Sequence, residues 1–181
     1  MSDKRTLFYV WDAATDASPE FRGLPADWTV STWRPAIDGP PPATLPGWQN
    51  RIWWLFDRLG LFANRGFGVL VIREGDRLIH SSLVTPRYFR FPEMAADDLQ
   101  IGATWTDPDM RGRGVGKLAV ALIHKSWQDE FRRMWYLVTE DNVASVRVIE
   151  ASGYRLLGNG SRHSLLGVGV LGQYRIAGLE A

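Results

Sequence analysis

The chain has 181 residues, 45% of them hydrophobic, and a formal net charge of +1. That length fits one domain with a packed core, and the near-neutral balance argues against a protein whose main partner is nucleic acid. The absence of cysteine removes disulfides, thiolate catalysis and Cys-ligated metals, and it fits a reducing compartment. Met1–Val10 has too short an apolar run for a signal peptide, and no segment approaches the roughly 20 apolar residues that span a bilayer. The expectation is a cytoplasmic protein with no membrane partner and no metal.

In chain order, residues 6–11 read as a strand from their β-branched and aromatic content. Residues 28–34 alternate and stop at Pro35, so they read as a second strand. Pro35, Pro40, Pro41, Pro42 and Pro46 make the next stretch a loop, because proline lacks the amide donor and fixes φ. Residues 48–62 follow helical spacing through Trp48, Ile52, Leu55, Phe56 and Leu59, which suggests a core-facing stripe. Gly66–Arg73 and Arg77–Val84 read as a hairpin around Glu74-Gly75-Asp76. Residues 98–106 form another strand, closed by Asp107-Pro108.

The next helix carries the clearest periodicity, with Val115, Leu118, Ala119, Leu122 and Ile123 on one face. Residues 134–139 read as a buried strand. A helix from Asn142 to Ser152 ends at Gly153. Tyr154–Leu157 and Leu165–Ile176 are the last two strands, the second weakened by Gly167, Gly169 and Gly172. The unit from 98 to 139 is a strand–helix–strand crossover, which requires parallel pairing, whereas the hairpins require antiparallel pairing. The fold class is therefore a mixed α/β sheet.

The chemistry concentrates in Arg111-Gly112-Arg113-Gly114-Val115-Gly116-Lys117, between a strand and an amphipathic helix. Alternate glycines allow close backbone approach, and the first helix amides lack intrahelical partners. The helix dipole adds partial positive charge there, so the loop suits a phosphate or pyrophosphate. Known nucleotide loops fail on spacing. The phosphate loop needs a glycine where Arg111 stands, five residues before Gly116, and Ser or Thr where Leu118 follows Lys117. The dinucleotide fingerprint needs Gly-x-Gly-x-x-Gly, and the letters here run Gly-x-Gly-x-Gly.

Arg111, Gly114 and Gly116 do fit Arg-x-x-Gly-x-Gly. Asn142, Ser145, Glu150, Gly153 and Tyr154 fit a second block, Asn-x-x-Ser followed by Glu-x-x-Gly-Tyr. In both segments, and in their order, the chain resembles the GNAT superfamily of acyl-coenzyme A N-acyltransferases. The resemblance covers about residues 66–176, leaving 1–65 as an elaborated N-terminal region of a single domain, 1–181. It implies a mixed, mostly antiparallel sheet of about seven strands flanked by helices, with two parallel strands splayed at a cofactor cleft.

The resemblance further implies acetyl-CoA as acyl donor. Thr104, Trp105 and Thr106 would meet its pantetheine arm. The amides of Arg111, Gly112, Arg113, Gly114, Val115, Gly116 and Lys117 would hold its pyrophosphate. Asn142 and Ser145 would sit near its thioester end, although Asn142 also suits a helix N-cap. The reaction implied is attack of a neutral amine on the thioester, and the acceptor is a small-molecule or peptide amine.

Many relatives carry a tyrosine seven residues after the asparagine, where Ile149 stands here. Ser145 is therefore the first candidate for the proton donor to the thiolate, with Tyr136 and Tyr154 in reserve. Glu140 is the first candidate base, followed by His80 and Asp98. A non-catalytic acyl-CoA-binding module is the alternative, and a homodimer is compatible with either reading. Six of the nine tryptophans precede residue 60, where they either fill a core or line the acceptor pocket. Tyr88-Phe89-Arg90-Phe91-Pro92 is a second candidate border of that pocket.

Overall fold

The computed structural model describes residues 5–21, 23–43, 45, 49–165 and 168–177. Met1–Lys4, Pro46, Trp48 and Gly167, all used in the sequence reading, lie outside them. The strands are β1 (Thr6–Asp12), β2 (Trp28–Trp33), β3 (Gly68–Glu74), β4 (Arg77–Pro86), β5 (Leu99–Thr106), β6 (Arg133–Thr139), β7 (Arg155–Leu165) and β8 (Val168–Ile176). The helices are α1 (Pro35–Asp38), α2 (Gln49–Arg58), α3 (Val115–Ser126) and α4 (Val143–Ala151). A 3-10 turn, Pro108–Met110, lies between β5 and α3.

All eight strands join one sheet in the order β2-β3-β4-β5-β6-β1-β7-β8. Every adjacent pair is antiparallel except β5–β6, whose crossover through α3 makes it parallel. This is the mixed, mostly antiparallel sheet that the sequence predicts, with one strand more than expected. The first strand of the chain inserts between β6 and β7, pairing Tyr9 with Tyr136 on one side and Leu156 on the other.

Strand alternation sends side chains to two cores. On one face Leu70, Ile72, Val84, Leu99 and Ile101 meet Val115, Ala119, Leu122 and Ile123 of α3 and Ile149 of α4. On the other, Phe8, Val10, Val69, Val71 and Trp135 meet Phe62, Phe67, Tyr88 and Phe91, with Trp53 and Phe56 of α2 packed against them.

Two sequence expectations change here. Of the expected stripe only Phe56 is packed against the core among the described residues; Ile52, Leu55 and Leu59 are 44%, 51% and 63% exposed, and Trp53, outside the stripe, turns inward with Phe56. This short helix is apolar on more than one side, so helical spacing alone does not select the buried face. The strand expected at Tyr154–Leu157 extends to Leu165. Its glycines permit the extension by letting β8 come close: a Cβ on Gly160 would lie 1.9 Å from the Arg175 carbonyl oxygen.

Candidate functional site

The cleft begins where the parallel pair stops. β5 and β6 pair only through Leu99–Met134, Gln100–Trp135 and Ile101–Tyr136. Beyond that point β5 continues to Thr106 alongside β4 alone, and β6 continues to Thr139 alongside β1. The departure coincides with a bulge in β5. Partner residues shift between Ser81 and Leu83 of β4, and Ala103 adopts a positive φ of 44°. A bulge bends and twists its strand, which turns the end of β5 away from β6. Gly102 and Thr106 are left half-buried, whereas Ala103, Thr104 and Trp105 are exposed.

Because β5 and β6 are parallel, their C-terminal ends lie together, and each leads into a helix N-terminus. Ligands bind at such strand ends in open α/β sheets. α3 starts at Gly114, whose φ of 80° is left-handed and which supplies no side-chain cap. The first helical hydrogen bond runs from the Leu118 amide to the Gly114 carbonyl, so the amides of Val115, Gly116 and Lys117 precede the ladder. Gly112 and Gly114 both have positive φ, and an added Cβ would meet nothing within 4 Å at either. These glycines serve backbone conformation and leave open space above the helix end. Gly116 differs: a Cβ there would lie 3.3 Å from both methyl groups of Val148, so it lets α3 approach α4. Orphan amides, a positive helix end and surrounding space fit a pyrophosphate.

The cations around the loop have distinct surroundings. Arg111 and Arg113 are exposed and Lys117 is half-buried. The Arg111 amide donates to the Pro108 carbonyl, and its Nε donates to the Thr106 carbonyl at 3.3 Å. Arg77, at the start of β4, donates from Nε to Asp107 and from Nη2 to Asp109, both at 2.9 Å. Asp107 also accepts the Asp109 amide, and that bond, then the Arg77 guanidinium, holds its carboxyl below the ordinary value. The 3-10 turn is thereby tied to the hairpin before the glycine loop begins.

At the end of β6, Glu140 is exposed and its amide donates to the Arg5 carbonyl. Asn142 caps α4, its side-chain oxygen accepting the Ser145 amide at 3.2 Å. Ser145 is half-buried in the first turn of that helix. Glu140, Asn142 and Ser145 thus follow β6 as the glycine loop follows β5.

The remaining candidates lie elsewhere. Asp98 precedes β5, away from the splayed end; it is fully buried, accepts from the Ala95 amide and the Trp135 indole, and is raised above the ordinary carboxyl value by burial. Tyr136 and Tyr154 are core residues at 6% and 4% exposure, and the Tyr154 hydroxyl contacts His124 Nε2 at 2.8 Å. Of the early tryptophans, Trp11 and Trp33 are buried, while Trp28, Trp53 and Trp54 pack partly buried against the cores. Tyr88 and Phe91 are buried, and Phe89 is exposed.

His80 lies in β4, opposite Thr106 of the splayed strand, and is completely buried. Its Nδ1 is 2.8 Å from Thr106 Oγ1 and its Nε2 is 2.8 Å from Ser82 Oγ. Ser82 Oγ is in turn 3.3 Å from Thr104 Oγ1. Burial pushes the imidazole down to about 4 from its ordinary 6.5, so it is neutral near pH 7. Sequence reading missed Ser82; the alternation of His80 with Ser82 and of Thr104 with Thr106 is the signal that could have pointed to it. Among the described residues, no group of three or more His, Cys, Asp or Glu could hold a metal ion, and no helix is long and apolar enough to cross a membrane.

Comparison with known proteins agrees with this geometry. Similar solved structures include a tandem GNAT protein from the clavulanic acid biosynthesis pathway, with a TM-score of 0.60 and 16% identity, covering 86% of this chain and 51% of that one. A putative GNAT-family acetyltransferase from Novosphingobium aromaticivorans has a TM-score of 0.55 and 18% identity, covering 86% and 61%. A GCN5-related N-acetyltransferase from Kribbella flavida has a TM-score of 0.51 and 15% identity, covering 86% and 55%. The chain thus spans about half to three fifths of the length of these solved chains, and at such identities the likeness is one of fold. No curated protein matches the chain. The model of the acetyltransferase (GNAT) family matches residues 27–154, which include the splayed strand, the glycine loop and the α4 block. The chain belongs to the GNAT acetyltransferase family.

Proposed function

We propose that the chain transfers the acetyl group of acetyl-CoA to an amine acceptor by direct attack in a ternary complex, with residues 1–181 acting as one domain. The observation that carries this reading is the opening of β5 from β6 beside an uncapped helix N-terminus. An extended arm fits the opening, and a pyrophosphate fits the helix end. Thr104–Thr106 would hold the arm, and the amides of Val115–Lys117 with the side chains of Arg113 and Lys117 would hold the phosphates. Bound there, the donor supplies an electrophilic thioester carbonyl and a thiol leaving group.

The chain's own residues then manage two protons. An alkylamine with a lysine-like pKa of about 10.4 reaches the site as an ammonium. Glu140, exposed beside the strand end, takes a proton from that nitrogen directly or through water. The Ser145 hydroxyl, in the first turn of α4, donates a hydrogen bond to the departing sulfur, which takes up the second proton that the nitrogen sheds as the amide forms. The acceptor is a small-molecule or peptide amine.

The test is release of coenzyme A from acetyl-CoA across a panel of small amines and peptide N-termini. Turnover with at least one class is the expected result. Tight acetyl-CoA binding without turnover on a broad panel would point to a non-catalytic binding module, a reading favoured by fully buried Ile149 standing where relatives often carry a tyrosine. Thermal stabilisation by ATP or NAD but not by acetyl-CoA would contradict both.

A further inference from the structure

We propose that His80 is a positioning residue that couples the hydroxyl groups of Thr104 and Thr106, so that together they present one donor and one acceptor to the amide-bearing arm of the acyl donor. The proposal rests on the cofactor reading above and names a function for a side chain outside the cleft. Its basis is an unbroken polar path inside an apolar layer. Thr106 Oγ1 contacts His80 Nδ1, His80 Nε2 contacts Ser82 Oγ, and Ser82 Oγ contacts Thr104 Oγ1. His80 and Ser82 are 0% and 2% exposed, whereas Thr104 is exposed and Thr106 half-buried. The path therefore starts and ends on the splayed part of β5 and is closed to water between.

Proton counting gives the path its property. A neutral imidazole has one donor nitrogen and one acceptor nitrogen, and each hydroxyl has a single hydrogen. If Nδ1 carries the proton, it donates to Thr106, leaving the Thr106 hydrogen available outward. Ser82 then donates to Nε2 and Thr104 donates to Ser82, so Thr104 offers only lone pairs outward. If Nε2 carries the proton, every bond reverses and the two threonines exchange roles. Both arrangements leave one outward hydrogen and one outward acceptor, and the imidazole prevents both threonines from offering the same group. The low value of the His80 imidazole supports this, since the cation would have two donors and break the pattern. An arm of secondary amides carries both N–H and C=O groups, and it matches such a mixed pair.

Thr104 and Thr106, two apart on β5, share a face by ordinary strand alternation, and the one-residue shift at the Ala103 bulge sets that face against β4 with Thr106 opposite His80. The bulge that opens the strand thus also aligns Thr104 over Ser82.

The test compares binding of acetyl-CoA with that of adenosine 3′,5′-bisphosphate, which keeps the nucleotide but lacks the arm and the second phosphate of the pyrophosphate, in wild type, His80→Leu, His80→Gln, Thr106→Val and the His80→Leu/Thr106→Val double variant. We expect His80→Leu and Thr106→Val each to weaken acetyl-CoA about tenfold, on the scale of one oriented hydrogen bond, with the bisphosphate unaffected. The double variant should be no weaker than His80→Leu alone, because both changes break one path. His80→Gln, with one donor and one acceptor group, should recover most of the affinity. Unchanged acetyl-CoA affinity in folded His80→Leu, or losses that multiply to about a hundredfold in the double variant, would overturn the proposal. If His80→Leu fails to fold, Thr106→Val and His80→Gln decide: equal loss of both ligands would mark a purely structural role and overturn it. Binding of acetyl-CoA by wild type with unaltered variants defeats this inference alone, whereas a wild type that binds neither ligand defeats the cofactor reading and this inference together.

Discussion

At the scale of single residues, two glycines in one loop perform different tasks. Gly114 holds a left-handed conformation in open space, and Gly116 permits helix contact. Gly114→Val should cost about 1–3 kcal/mol from backbone strain and weaken acetyl-CoA at least tenfold by reorienting the first amides of α3. Isothermal titration beside a urea melt checks both, and normal affinity would count against the loop. Glu140→Gln should lower kcat by about 10²–10⁴ with little change in KM for acetyl-CoA, as expected for a general base. An unchanged kcat would move that role elsewhere. The glycine loop and the Asn142 cap were legible in the letters because both are local patterns. The surroundings of His80 were not, since its face depends on a bulge near Ile79, where pairing shifts between Ile72–His80 and Arg73–Leu78.

At the scale of elements, the decisive feature is the irregularity of β5. The letters from 98 to 106 read as a plain strand, and nothing in them marks Ala103 as the residue with a φ of 44°. Ala103→Val should destabilise the fold by about 1–3 kcal/mol, because a β-branched residue tolerates that region poorly, and should also weaken acetyl-CoA. Equal denaturation midpoints for variant and wild type would show that the bulge can move. α2 teaches the complementary lesson. Ile52, Leu55 and Leu59 have helical spacing, yet so does the pairing of Trp53 with Phe56, and only packing against Phe62 and Tyr88 selects the latter.

At the scale of the whole molecule, two buried histidines set the response to acid. His80 and His124 are each pushed down to about 4 by burial, from an ordinary 6.5. Between those values the unfolded chain binds more protons than the folded one, so stability rises with pH across the window and is lost on acidification. Asp98, raised by burial, works in the opposite direction, but it is one group against two. Urea midpoints should therefore fall as pH drops from about 7 toward 4, and His124→Phe should reduce that slope. A flat profile would contradict the buried neutral histidines.

The strand order of the sheet was only partly legible. The hairpin pointed to the β3–β4 pair and the α3 crossover to parallel β5 and β6, because short connections restrict pairing. The insertion of β1 between β6 and β7 joins segments more than a hundred residues apart, and no local pattern encodes it. The central claim is nevertheless local: the open end of β5 and the first turn of α3 form one acyl-CoA site. A crystal structure with acetyl-CoA tests it most directly. The account predicts the pyrophosphate on the amides of Val115–Lys117 and the arm along Thr104–Thr106. A pyrophosphate bound elsewhere, with those amides facing only solvent, would contradict it.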